Sequence, residues 1–189
     1  MLRRKFPVLL AVPLLALSSF AFPQSGDAAT TATVANGAAV VADGAAVLET
    51  KMVLRDLWVE HIFWIRSYVL ATHAGDTAQG KIAEKEVVAN AKALANSIVP
   101  FYGQPAADTF FKMLAGHWGA VRDYESATVG KSKAGQEKAV AELTTNAHEI
   151  AKFLSGANPY LPENAVFGLL AAHGAHHVAQ INEIASGDF

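Results

Sequence analysis

The sequence predicts an all-α protein, an up-down antiparallel bundle of four to five long helices that contains an internal helical-hairpin duplication. Apolar residues recur at helical spacing through five long segments, and no segment shows the alternation of a β-strand. Short turns, several of them with glycine or proline, separate these segments, which indicates that neighbouring helices run antiparallel. In addition, residues 90–117 align without a gap with residues 146–173.

The two copies of this repeat keep one constant offset in residue number (146 − 90 = 56). Asn-Ala begins both copies and Phe-x-x-Leu-Ala-x-His ends both, so Asn90 matches Asn146 and His117 matches His173. His61 precedes His117 by the same offset, but the residues around it match poorly. The sequence therefore predicts a helical hairpin used twice and leaves open whether the first helix belongs to the repeat.

The amino-terminal residues are predicted to be a targeting segment followed by a leader. A basic start, an apolar stretch and small residues before Ala21 are typical of a secretory signal peptide at residues 1–21. A retained membrane anchor is the alternative, but the apolar stretch is shorter than the ~20 residues of a bilayer span and contains prolines. Residues 22–46 have almost no charge and are predicted to form a flexible leader. We therefore expect a periplasmic or secreted protein whose helical bundle domain occupies residues 47–189.

Turn residues and helix caps give the expected helix boundaries. Gly75 is a suitable residue after the first helix, and Pro105 suits the first turn of the third. The five helices are expected at about 48–72, 78–99, 105–129, 133–155 and 163–186.

The composition excludes several kinds of site and partner. The chain has 189 residues, is 52% hydrophobic and carries a net charge of −2, which suits one domain with a substantial core. Its basic residues are scattered, so no nucleic-acid partner is expected. The absence of cysteine excludes disulfides, thiolate metal sites and thiol nucleophiles. No phosphate-binding glycine loop is visible, and no membrane association is expected after removal of the signal peptide.

Each predicted helix carries one histidine or asparagine on its apolar side. These residues are His61, Asn90, His117, Asn146 and His173. On the two arms of each turn they lie at similar numbers of residues from the turn, so at about 1.5 Å per residue their heights differ by roughly 3 Å or less. A buried polar layer costs stability unless every group has a partner. We therefore expect a hydrogen-bonded network, a metal site or a ligand pocket.

Neutral imidazoles from several helices are good ligands for a divalent transition metal such as zinc, nickel, copper or iron. The candidate ligands are His61, His117 and His173, with His177, one turn after His173, as the fourth. The two asparagines are expected to orient the rings. Glu149 is expected to act beside the ligands, and Glu149 and Glu60 are the nearest carboxylates that could serve as a base or ligand.

Two alternatives stay open at this point. The bundle can instead be a non-enzymatic module whose polar layer binds a small molecule or is only a hydrogen-bonded network, and no arrangement of nucleophile and base indicates an enzyme. His73 and His148 are expected to be exposed, and His176 lies beside the apolar stripe.

The segment His173-Gly-Ala-His176-His177-Val-Ala-Gln180 is similar to the final-helix motif of the DinB/YfiT-like superfamily. That resemblance implies a four-helix bundle, often metal-binding and in some members a metal-dependent thiol transferase. It implies that His173 and His177 bind the metal together with either His61 or His117. The duplicated body and the five helices depart from that family.

A second resemblance covers nearly all of residues 50–186. The segments Leu57-Trp58-x-x-His61-x-x-Trp64-x-Arg66 and Asn146-Ala-x-Glu149-Ile-Ala-x-Phe-Leu resemble those of a family of small uncharacterised bacterial helical proteins. This resemblance implies no established activity.

Overall fold

The computed structural model describes residues 35–188, and their side chains from Val47 onward. Its five long helices are α1 (Ala35–His73), α2 (Thr77–Asn96), α4 (Gln104–Val129), α5 (Lys133–Ala157) and α6 (Glu163–Ser186), and the short α3 (Val99–Tyr102) lies between α2 and α4. These described residues contain no strand, so the predicted all-α bundle is confirmed. Within the same range, no helix combines the length and apolar character needed to cross a membrane.

The start of α1 differs from the prediction. The predicted signal peptide at residues 1–21 and the leader up to residue 34 lie outside the described residues, but residues 35–46 are helical. Half of this segment is alanine, which has the highest helix propensity. Extending a helix that is already formed costs far less than nucleating one, so α1 includes residues that have no apolar stripe.

The second helix ends earlier than expected, at Asn96 instead of about residue 99. Pro100 has no backbone N–H to donate to the carbonyl oxygen of Asn96, so α2 does not continue through it, and the chain restarts as α3 with that proline in its first turn.

Helices α1 and α2 form one antiparallel hairpin, and α4 and α5 form another. Helix α2 also packs against α4, and α5 also packs against α6. Helix α6 contacts α4 and α1, which closes the bundle. Thus α1, α4 and α6 are the inner helices, while α2 and α5 each cover the groove between two of them.

The first helix belongs to the repeat, which resolves the question that the sequence leaves open. Asn90 donates a hydrogen bond from Nδ2 to the carbonyl oxygen of Leu57 (2.9 Å), and Asn146 donates in the same way to Met113 (2.9 Å). The two donors are separated by the repeat offset, and so are the two acceptors. The chain therefore holds two complete units, α1–α2 and α4–α5, and α6 is the first helix of a third unit.

The ends of the inner helices follow the same spacing. A residue with positive φ follows each of them, namely Gly75 (70°), Lys131 (52°) and Gly187 (72°), and each is separated from the previous one by the repeat offset. After the first two turns, the side chains of Asp76 and Ser132 cap the next helix by accepting a hydrogen bond from the backbone N–H three residues later.

The core consists of two apolar clusters on opposite sides of the histidine layer. One contains residues that follow the histidines on the inner helices, together with residues of α2 and α5: Ile65, Val69, Val87, Trp118, Val121, Tyr124, Leu143 and Ile181. The other lies toward the opposite end of the bundle and includes Leu94, Phe110, Leu114 and Ile150. The site is therefore held between two packed layers that fix the inner helices against one another.

Candidate metal centre

Four histidines from the three inner helices meet in the middle of the bundle. His61 comes from α1, His117 from α4, and His173 and His177 from α6. One ring nitrogen of each can be chosen so that all four lie within 4.8 Å of one another. The structure thus brings together all four residues that the sequence predicts as ligands.

The repeat explains how three of these rings come to the same height. His61, His117 and His173 occupy the same position of three inner helices that end in equivalent ways. His177 takes the position held by Ile65 in α1 and Val121 in α4, both of which are core residues. It follows His173 by one helical turn and therefore lies on the same face of α6.

The rings pack closely enough to bind one metal ion together. The centroids of the His61, His117 and His173 rings are 5.4 to 6.2 Å apart, and the centroid of His177 is 4.3 Å from that of His173. Nitrogens at about 2.0–2.1 Å from a tetrahedral zinc ion would be roughly 3.3 Å apart. Small inward movements of the rings would therefore convert the present cluster into tetrahedral coordination.

One hydrogen bond joins two of the four rings. Nε2 of His177 lies 2.9 Å from Nε2 of His173, so one nitrogen carries the hydrogen and the other accepts it. If both residues bound a metal through Nε2, that hydrogen would have to be displaced, since a coordinating nitrogen presents a lone pair.

The site holds the imidazoles in their neutral form. Burial lowers the pKa of His61 and of His117 to about 4, with the charge of His117 adding to the effect on His61 and the Asn90 side chain opposing it. Burial, followed by the neighbouring histidines, lowers the pKa of His173 to about 3 and places that of His177 well below its usual range. All four rings are therefore available as ligands at neutral pH.

Several buried polar atoms around the site have no hydrogen-bond partner among the described residues. They are both ring nitrogens of His61, Nε2 of His117, and Oδ1 of Asn90 and of Asn146. Buried polar groups are nearly always paired, and a bound metal would satisfy one ring nitrogen of His61 and one of His117. These unpaired nitrogens therefore support a transition-metal ion at the site, independently of the distances between the rings.

Trp58 covers the cluster on the side of α1 and α6. Its ring makes edge contacts with His61 and His173, with centroid distances of 5.4 and 5.3 Å. This apolar cover shields the imidazoles from water, although Trp58 itself is 38% exposed.

The two asparagines lie close to the layer but bond mainly to the backbone. Each uses Nδ2 to donate to a carbonyl that lies four residues before a histidine of the neighbouring helix. Nδ2 of Asn90 is also 3.5 Å from Oε2 of Glu60. Their direct effect is therefore to fix α2 on α1 and α5 on α4 at the height of the site.

The predicted carboxylates take outer positions. Glu60 and Glu149 are both exposed, and Glu149 lines a groove between α4 and α5 with Asn146 and Asp123. In the part of the chain that the structure describes, no hydrogen bond or ion pair joins Glu149 to the four histidines. A role for Glu149 at the metal stays a prediction without a contact to carry it.

His73 corrects one expectation. It is half-buried instead of exposed, and its Nε2 lies 3.1 Å from Oε1 of Glu125, a fully buried carboxyl group. Burial raises the pKa of Glu125, and His73 opposes that shift. The sequence reasoning missed Glu125, although it lies one turn after Val121 on the same face as His117.

The two remaining histidines lie outside the cluster. His148 is exposed, as expected, and stacks on Phe167 with a centroid distance of 3.7 Å. His176 is exposed on α6 beside the two ligand candidates of that helix.

Comparison of the chain with models of known protein families, with curated protein sequences and with solved structures returned no match.

Proposed function

We propose that this protein is an exported helical-bundle protein that binds a divalent transition metal through four histidines. The ligands are His61, His117, His173 and His177. The observation that carries the proposal is the convergence of four ring nitrogens from three helices within 4.8 Å. Since the group contains only imidazoles, zinc, nickel and copper suit it better than magnesium or calcium.

Coordination by all four histidines would fill a tetrahedral site, which is the arrangement of structural metal centres, whereas catalytic zinc sites keep one position open. The reaction, if there is one, stays unassigned. A metal held in this way would join α1, α4 and α6, and its binding energy would add to the stability of the fold.

Metal analysis of the mature protein, purified without a histidine tag, tests the proposal. We expect one zinc, nickel or copper ion per chain after metal loading, and a higher melting temperature. Free metal at 100 times its dissociation constant stabilises a folded protein by about 2.7 kcal/mol. Less than one equivalent of metal, with no change in melting temperature on adding any of the three ions, would contradict metal binding.

Two variants distinguish metal binding at the four histidines from metal binding at the protein surface. His117→Ala removes a buried ligand and should abolish stoichiometric binding. His176→Ala changes an exposed histidine next to a proposed ligand on α6 and should leave binding intact. Equal loss of binding in both variants would point to adventitious surface coordination.

A second candidate function is a bundle whose histidine layer is only a hydrogen-bonded network. The 2.9 Å contact between His173 and His177 favours it, because it satisfies two imidazoles without a metal. In that case His117→Ala lowers the melting temperature, while added metal leaves both the parent protein and the variant unchanged.

Export rests on the sequence of residues 1–21. Amino-terminal sequencing of the protein recovered from cells tests it, and a mature chain that begins near Phe22 is expected. A chain that retains its first residues would contradict cleavage.

A further inference from the structure

Among the described residues, one groove of the bundle is not covered by an outer helix. Helix α2 covers the groove between α1 and α4, and α5 covers that between α4 and α6. No helix of the described residues lies over the third groove, between α6 and α1. Trp58, at the edge of the histidine cluster, faces this groove through its contact with His173 of α6.

Side chains at equivalent positions of the repeat differ in their exposed fraction, depending on whether an outer helix lies over them. Trp58 and Ile62 of α1 are 38% and 41% exposed, whereas their counterparts Leu114 and Trp118 of α4 are 8% and 5% exposed. On α6, Leu169 is 55% exposed, while its counterparts Leu57 and Met113 are half-buried. Large apolar side chains are therefore exposed along the α6–α1 groove, whereas side chains at the equivalent positions of the other inner helices are buried or half-buried.

Helix α1 continues this surface along its length. Nearly half of the exposed large apolar side chains of the described residues belong to one stretch of α1: Leu48, Met52, Val53, Trp58, Val59, Ile62 and Phe63. Leu48, Met52, Val59 and Ile62 follow the spacing of a heptad, with Met52 and Val59 at a positions and Leu48 and Ile62 at d positions. Arg55 interrupts this stripe at one d position, but soluble monomers rarely expose so many large apolar side chains on one helix face.

The charges beside the stripe favour a second copy of α1, packed in parallel, as its partner. In the same heptad, Lys51 takes a g position and Asp56 the following e position. In a parallel pair of helices, a g residue faces the e residue five positions later on the partner, so Lys51 of each chain would face Asp56 of the other. Arg55, at the remaining d position, already pairs with Asp56 (2.9 Å), and its stem can lie along the apolar stripe.

We propose that the apolar stripe of α1 is the interface of a homodimer, in which α1 of a second copy packs in parallel along Leu48, Met52, Val59 and Ile62 beside the α6–α1 groove. The second copy then covers Trp58 and Leu169, over the groove that no helix of the described residues covers. The proposal does not depend on metal binding, because it rests on residues outside the four histidines.

Disulfide trapping tests the parallel arrangement, and the absence of cysteine makes the chain suitable for it. In a parallel dimer each a position meets its own counterpart, at a distance that a disulfide can span. Val59→Cys and Met52→Cys should therefore each give a disulfide-linked dimer under mild oxidation. Val140→Cys is the matched control, since Val140 is also an exposed valine (40%) but lies on α5, and it should stay monomeric on a denaturing gel.

The molar mass in solution tests the interface itself. Light scattering after size exclusion should give twice the mass of one chain for the parent protein and for Val140→Glu, whose repeat counterpart in α2 is Glu84. Val59→Glu should give the mass of one chain with unchanged helical circular dichroism. A monomeric parent protein would overturn the proposal, and so would a dimer that survives Val59→Glu or that fails to cross-link through either cysteine.

Discussion

Each of the four histidines at the site is neutral in the folded protein, and this sets the pH range in which the metal-free fold weakens. Their pKa values in the unfolded chain are near 6.5, and in the folded protein those of His61 and His117 fall to about 4. Between these values the unfolded chain binds protons that the folded protein does not. The free energy of unfolding therefore decreases as the pH falls from about 6.5 toward 4.

We predict that the metal-free protein loses stability over this range by about 1 kcal/mol per pH unit for each such histidine. Urea unfolding at a series of pH values, in the presence of a chelator, measures this slope. His117→Gln removes one titrating group and should make the slope shallower, whatever its effect on stability at neutral pH. A free energy of unfolding that stays constant between about pH 6.5 and 5 would show that the histidines are solvated in the folded state.

At the same scale, the sequence predicts some residues of the site and misses others. Position on an apolar helical face and distance from the nearest turn are enough to predict that His61, His117, His173 and His177 meet. The same criteria miss Glu125. A glutamate is normally expected at the surface, and the sequence does not show that His73 points toward this carboxyl group and pairs with it. Side-chain direction at a helix end depends on packing that sequence spacing does not encode.

At the scale of the elements, the two turns after α1 and α4 are equivalent in backbone but differ in sequence. Gly75 adopts φ 70° without strain, whereas Lys131 adopts φ 52°, where a side chain is disfavoured. We predict that Lys131→Gly raises the free energy of unfolding by about 0.5–1 kcal/mol. Chemical denaturation at fixed pH, with an unchanged dependence on denaturant concentration, is the measurement.

Gly75→Ala is the matched control at the same position of the other hairpin. A methyl group there would meet no atom within 4 Å, so its effect is conformational only. It should lower the free energy of unfolding by about 1 kcal/mol, the opposite sign to Lys131→Gly. Changes of the same sign at the two positions would show that the turns are not equivalent in solution.

The helices themselves are the part of the fold that the sequence predicts best, because their apolar spacing is long and regular. The boundaries that differ lie where that spacing gives no information. Residues 35–46 have no stripe, so only their alanine content indicates that α1 extends through them. Similarly, the role of His61 in the repeat is hidden by poor similarity around it and becomes clear from the paired hydrogen bonds of Asn90 and Asn146.

At the scale of the whole molecule, the four ligands come from inner helices that are far apart in sequence. A metal bound by all of them therefore ties α1, α4 and α6 together. Helices α2 and α5 carry no ligand and are held by their packing, by the two asparagines, and by the contacts of Glu84 with Arg122 and of Gln136 with Thr128. Opening α1, α4 or α6 would then break a metal–nitrogen bond, while local opening of α2 or α5 would not.

We predict that metal loading slows amide hydrogen exchange most in the inner helices, around His61, His117 and His173, and least in α2 and α5. Hydrogen exchange with mass spectrometry, on the metal-free and the metal-loaded protein, measures the difference segment by segment. His173 and His177, one turn apart, can also bind a metal without the other helices. Protection confined to α6 would identify that two-ligand site, and the proposed link between the three inner helices would then be wrong.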